Sequence, residues 1–267
     1  MNKLTKAQTE LWEMDELAKG TSPIHGLHPL AKLAVTVFYI FTVVSFPKYD
    51  LSGLMILVLY PVILYQIADI PVSTCFYKLR LVLPLVCAVG LVNPFLDRKI
   101  LLYIGTVPIT GGLVSMATLM LKGVFSLMAS FLLIATTPID QICAALGKLH
   151  VPQVLTTLLL LTYRYIGVML EEVTIMTEAY KLRAPGQKGI HISAWGSFLG
   201  QLLLRSMDRA QELYGSMLLR GFRGEFFYAQ VPPCKLGGVL YTVLCIGAFL
   251  LVRQVPVASA LGGLVVG

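Results

Sequence analysis

Charge is what this sequence has least of. Only 13% of its 267 residues are Asp, Glu, Lys or Arg, about half the share found in ordinary soluble domains. Several of its segments have no polar face to offer water, so a water-soluble fold is excluded as the reading and lipid becomes the solvent for much of the chain. Also missing is any GxxxxGK[ST] loop, the backbone cradle and lysine with which a protein holds a nucleotide. No HExxH, GxSxG or paired His and carboxylate cluster occurs, so a polytopic membrane enzyme is not expected. The five cysteines, Cys75, Cys87, Cys143, Cys234 and Cys245, are odd in number and widely spaced with no CxxC. They read as reduced and structural. Four histidines include one close pair, His25 and His28, too few ligands at suitable spacing for a metal. Loop or interface roles are expected for both.

What is abundant is apolar: 57% of positions. A bilayer core of about 30 Å needs roughly 20 apolar helical residues, and five runs come close, at residues 30–46, 51–68, 81–96, 113–135 and 236–252. The first two read as a hairpin. Pro84 and Asn93-Pro94 predict a kink or broken end in the third, which lipid tolerates only where neighbouring helices satisfy the freed backbone. Lys122 interrupts the fourth run and reads as an anchor between subunits or a snorkelling cation rather than a substrate ligand. Asp69 reads as a helix-end residue. Before the first run lie about thirty mixed-charge residues, so no cleaved secretory signal is expected. Leu4, Ala7, Leu11, Met14 and Ala18 recur there at helical spacing, predicting an amphipathic arm that stops at Gly20-Thr21-Ser22-Pro23.

The formal net charge of +7 comes from basic residues scattered between apolar runs, without the basic and aromatic track that nucleic acid needs. Retention of Lys and Arg on the cytoplasmic side accounts for it. Lys181, Arg183, Lys188, Arg205, Arg209, Arg220, Arg223 and Lys235 fall between the fourth and fifth runs, which puts that stretch and the N-terminus in the cytoplasm. Lys78 and Arg80 agree; Arg98 and Lys99 oppose. The expected fold is all-α, a multi-pass protein of the inner or plasma membrane. Residues 1–29 form the arm, 30–137 four transmembrane helices, 138–233 a cytoplasmic helical region, and 234–267 the final transmembrane helix and tail.

The central region differs in texture. Residues 154–183 would make one long helix or two, about 45 Å in all. Thr157, Arg164, Glu171 and Glu178 lie seven apart on it, a polar stripe that drifts by only about 20° per heptad. Residues 155–170 could cross the membrane, but Arg164 would then sit at the centre, costing on the order of 3 kcal/mol, so packing against the spans is preferred. The following helix, 194–220, carries Leu199, Leu202, Leu203, Ala210, Leu213 and Met217 on one face and Gln201, Arg205, Asp208, Arg209, Glu212 and Ser216 on the other. That second face reads as solvated, with intrahelical charge pairs. Both helices end alike, at Arg183-Ala184-Pro185-Gly186 and at Arg220-Gly221. Ordinary capping explains each alone. Two such ends suggest paired guanidinium groups offered to an acidic groove on another protein.

Thr137-Pro138-Ile139-Asp140, Leu146 to Pro152, Leu161-Thr162-Tyr163-Arg164-Tyr165-Ile166, Glu171, Ala179, Arg183 and Met217-Leu218-Leu219-Arg220-Gly221-Phe222-Arg223-Gly224 together resemble the T component of energy-coupling factor transporters. The entry to the first span, from Ser22 to Leu33, is similar too, and the tail of the second helix is most similar to the cobalt-transport type. The resemblance implies coupling helices whose Arg183, Ala184, Arg220 and Gly221 dock on two ATPase subunits, with Arg164, Glu171, Glu178, Arg205 and Glu212 supporting them. It implies a separate substrate-binding membrane subunit, and leaves room for a small additional one. ATP and Mg would sit in the partners, with no cofactor or metal in this chain and no nucleic acid partner. Leu182-Arg183-Ala184 and Leu219-Arg220-Gly221 both depart from the family's Ala-Arg-Gly pattern, the first more. The implied role is a non-catalytic subunit of a cobalt or nickel importer. A shared subunit of a vitamin importer is the alternative within the class. A secondary transporter would need a midplane site and, commonly, inverted repeats, neither of which is visible.

Overall fold

The computed structural model describes residues 3–47, 51–80, 82–96, 100–104, 107–187, 189–224 and 236–254. Arg98, Lys99, Lys188, Lys235, Cys234 and the tail at 255–267 lie outside the described residues. The chain divides into two units, one of Leu17–Pro138 with Val231–Gly267, the other of Met1–Glu16 with Ile139–Gln230.

In the first unit α2 (Pro29–Ser45), which follows α1 (Lys3–Ala18), begins with a proline whose missing N–H would have had no partner anyway. His28 caps it, its Nδ1 accepting from the Leu30 N–H at 3.1 Å. Val35, Tyr39 and Val43 are spaced by four, share one face and are fully buried. The run at 51–68 is not one helix but two, α3 (Leu51–Leu57) and α4 (Leu59–Ile67). Pro61 is the cause, because it has no N–H to give the Leu57 carbonyl four residues earlier. The Tyr39 hydroxyl donates to that carbonyl instead, at 2.9 Å. Asp69, with φ +54°, follows α4 in the left-handed position of a Schellman stop, the Ile70 N–H donating to the Tyr65 carbonyl at 3.2 Å.

After α5 (Val72–Leu79), helix α6 (Leu83–Leu96) carries Pro84 in its first turn and Pro94 in its last, so both prolines fall near its ends. A two-stranded antiparallel ribbon, β1 (Ile100–Ile104) and β2 (Val107–Thr110), precedes α7 (Gly111–Thr136). The all-α architecture stands with this one small addition, which the β-branched and aromatic content of Ile100, Tyr103, Ile104, Val107 and Ile109 favours. Close packing of α6 on α7 needs Gly123, where a Cβ would lie 2.5 Å from Val86 Cγ1. Small residues of this kind let helix backbones approach in lipid.

Helices α2 and α7 run antiparallel, and a lysine from each caps the other. Lys122 of α7 donates to the Val44 and Phe46 carbonyls, at 3.1 and 2.6 Å, at the end of α2. Lys32 of α2 is 4% exposed and donates to the Thr136 carbonyl, at 2.8 Å, at the end of α7. Cations suit the negative end of a helix dipole. The expected role of Lys122 as an anchor between subunits gives way to a cap within the chain. The last helix, α11 (Leu236–Gln254), brings Phe249 against the rings of Tyr39 and Tyr60, with centroids 5.3 and 5.0 Å apart.

In the second unit, α8 (Ile139–Lys148) leads through His150, at φ +64°, into α9 (Gln153–Arg183), which is one helix of 31 residues. α10 (Ile192–Leu219) follows. Three described helices are long and apolar enough to cross a membrane: α7, α9 and α11. Of the five expected spans, the first is an apolar but shorter helix, Pro29–Ser45, and the second a shorter apolar stretch, Gly53–Ile67, that contains the break between α3 and α4. Helix α9 qualifies by length and composition, although Arg164 argued for packing it against the spans.

Candidate functional site

Arg183 is the last residue of α9, and Ala184 closes that helix with its N–H on the Tyr180 carbonyl at 3.0 Å. Pro185 then ends the ladder. Arg220 caps α10, where Gly221 takes φ +83° and the Phe222 N–H donates to the Met217 carbonyl at 3.0 Å. This second end is a full Schellman motif, which requires a left-handed residue after the cap and therefore favours glycine. The sequence led us to expect like ends, but they differ: only the second has the glycine stop directly behind its arginine. Both arginines are exposed, and among the described residues neither has a carboxylate partner. Each follows a strongly exposed leucine, Leu182 at 84% and Leu219 at 92%.

The hydroxyl of Tyr180 fixes the turn between the helices. It donates to Gln187 Oε1 at 3.0 Å and accepts from the His191 N–H at 3.3 Å, so α10 starts beside the end of α9. The helices are antiparallel, and Arg220 lies a whole helix away from Arg183. At 28 residues, α10 puts them about 40 Å apart. One acidic groove cannot hold both, which corrects the expectation of a paired guanidinium site.

Of the expected supporting residues, Arg205 is the one with a partner on another helix: it forms an ion pair with Glu172 of α9. Arg164, Glu171, Glu178 and Glu212 are exposed and make no ion pair among the described residues. The charged face of α10 is therefore not simply solvated. Arg205 turns toward α9, while Leu199, Leu203 and Leu204 are more than half exposed. Sequence reasoning chose Glu171 because it continues the heptad from Arg164; the adjacent Glu172 is the residue that reaches α10. Asp15 was also missed. It accepts a 2.5 Å hydrogen bond from the hydroxyl of Tyr163 and ties α1 to α9.

Between α9 and α10 lies a cleft of about 340 Å³ lined chiefly by apolar side chains, with Arg209, Tyr165 and Tyr214 among them. No three His, Cys, Asp or Glu side chains converge as a metal site would require among the described residues.

A family model described as cobalt transport protein CbiQ matches residues 20–230, which contain α9, α10 and both exposed arginines. The chain belongs to that family. It is an energy-coupling factor T component of the CbiQ type, a membrane component of a multi-subunit transporter. A cobalt transport protein CbiQ from Rhodobacter capsulatus is 30% identical over 126 residues, 46% of this chain and 51% of that protein. A nickel permease LarQ from Lactiplantibacillus plantarum is 32% identical over 91 residues, 34% of this chain and 33% of its own. An energy-coupling factor transporter transmembrane protein EcfT from Ruminiclostridium cellulolyticum is 27% identical over 220 residues, 77% and 82% of the two chains. For this T component, then, the two exposed helix ends are the surfaces whose use has to be explained.

Proposed function

We propose that this chain couples two ATPase subunits to a substrate-binding membrane subunit during uptake of cobalt or nickel ions. The observation that carries the reading is the placement of two exposed arginines, without a carboxylate partner among the described residues, at opposite ends of one antiparallel helix pair. Each guanidinium can take a carboxylate in a bidentate fork, and a spacing of about 40 Å suits one ATPase subunit per arginine. Drawing the two ATPases together would then push on both ends of α9 and α10 at once. The chain performs no bond chemistry in this scheme: ATP and Mg²⁺ are held by the partners, and the ion by the substrate-binding subunit. Helices α9 and α10 and the N-terminus face the cytoplasm.

The test is co-purification with the candidate ATPases after Arg183→Glu and Arg220→Glu are introduced together. Loss of the complex and of cobalt or nickel uptake is expected; unchanged complex and uptake would overturn the reading. The EcfT relative, which matches across most of both chains and whose name specifies no metal, leaves room for a second reading, a shared subunit of a vitamin importer. Vitamin rather than metal uptake on co-expression with candidate substrate-binding subunits would select it.

A further inference from the structure

Leu182 and Leu219 directly precede the two exposed arginines, and the coupling reading leaves them without a role. Single exposed leucines are ordinary on a protein surface. These two stand apart in degree and in position. Each is the most exposed leucine of its helix, Leu182 at 84% on α9 and Leu219 at 92% on α10, against 50–61% for the other exposed leucines of the two helices. Side chains so bare touch almost nothing of their own chain, so neither holds the fold together.

The offset between leucine and arginine is the same at both ends. Consecutive residues of a helix point about 100° apart around its axis. A groove that takes the guanidinium on a carboxylate therefore meets the leucine roughly a quarter turn away. Small residues follow both arginines, Ala184 and Gly221, and leave the approach open on the other side. One groove shape can serve both ends. Charge and shape then divide the work. A guanidinium pairs with many acidic grooves, through an attraction that speeds encounter and is screened by salt. An aliphatic side chain gains only where a pocket of its own size receives it.

We propose that Leu182 and Leu219 select the ATPase, each entering an apolar pocket beside the carboxylate that takes Arg183 or Arg220. The fitting partner has a docking groove with an acidic wall and, roughly a quarter turn from it, a pocket of leucine size. On the coupling reading, on which this assignment rests, both helix ends lie in the cytoplasm, where ATPase and not lipid is there to cover them. The leucines stand where the Ala-Arg-Gly pattern has alanine. A groove shaped closely around alanine would clash with them, so this chain refuses ATPases built for such an end.

The full chain in lipid nanodiscs is titrated, at low and at high salt, with the ATPase pair that co-purifies with it. Leu182→Ala and Leu219→Ala should each lower the affinity about tenfold, by the same factor at both salts. Arg183→Gln and Arg220→Gln should instead weaken the salt dependence. Leu182→Met and Leu219→Met, close to leucine in volume, should keep most of the affinity. Leu203→Ala, on α10 away from both ends, should leave it unchanged. Unchanged affinity when Leu182→Ala and Leu219→Ala are combined, or an equal loss in Leu203→Ala, overturns the selection role and leaves the coupling reading to its own double arginine test. A native chain that captures no ATPase overturns both.

Discussion

The Tyr39 hydroxyl donates to the Leu57 carbonyl at 2.9 Å, and it is Pro61 that leaves this carbonyl free. A proline inside an apolar run needs such a donor, because no water reaches the carbonyl it abandons. Tyr39→Phe should therefore cost about 1–3 kcal/mol, read as a lowered melting temperature in detergent. Pro61→Ala restores the missing N–H, so Tyr39→Phe should cost much less in that background. Equal costs in both backgrounds would reject the link.

Lys32 and Lys122 cap opposite ends of the α2 and α7 pair, and they differ in burial. Lys32→Met removes the donor from two carbonyls, those of His25 and Thr136, at a nearly buried position, and should cost about 1–3 kcal/mol. Lys122→Met, at a less buried position, should cost less. Thermal unfolding of each variant checks the order.

Gly123 is a test of close packing. Gly123→Ala places a methyl 2.5 Å from Val86 Cγ1, and overpacking of this sort costs about 1–3 kcal/mol. Gly167 of α9 has nothing within 4 Å of a built Cβ. There the same substitution should stabilise by roughly 0.5–1 kcal/mol through helix propensity. Opposite shifts in melting temperature are the expected result.

The distance between Arg183 and Arg220 predicts separable losses. Either Glu substitution alone should remove one ATPase subunit and leave the other bound, giving a complex of intermediate mass by light scattering. Arg220→Glu should lose more ATPase affinity than Arg183→Glu, because its glycine neighbour matches the family pattern and its Schellman stop holds the cap rigidly. Loss of both ATPases from either single variant would reject independent docking.

The Arg205 and Glu172 pair, partly exposed, should contribute no more than about 1 kcal/mol and fade with salt. Glu172→Gln should loosen α10, seen as faster amide exchange along 192–219, whereas Glu171→Gln should leave exchange unchanged. Swapping the charges, Arg205→Glu with Glu172→Arg, should recover protection.

Much of this protein is legible as a string of residues. Low charge and apolar runs set the solvent, and no GxxxxGK[ST] phosphate loop occurs in the sequence. Helix stops at Pro185 and Gly221 placed Arg183 and Arg220 at helix ends, because the stop signals are local and act through φ and the lost N–H of the same few residues. Periodicity reached its limit at Glu171: a heptad stripe names one residue, and on a real helix of 3.6 residues per turn the adjacent position can be the one that faces a neighbour. The packing partners of Lys32, Lys122, Asp15 and Tyr39 were out of reach for another reason. Their acceptors come from distant turns of the chain, and which turn arrives is decided by how helices pack. The same holds for the gap between the two arginines. Each helix end is written locally, but only the turn held by Tyr180 makes α9 and α10 antiparallel and sends Arg220 a full helix length away from Arg183.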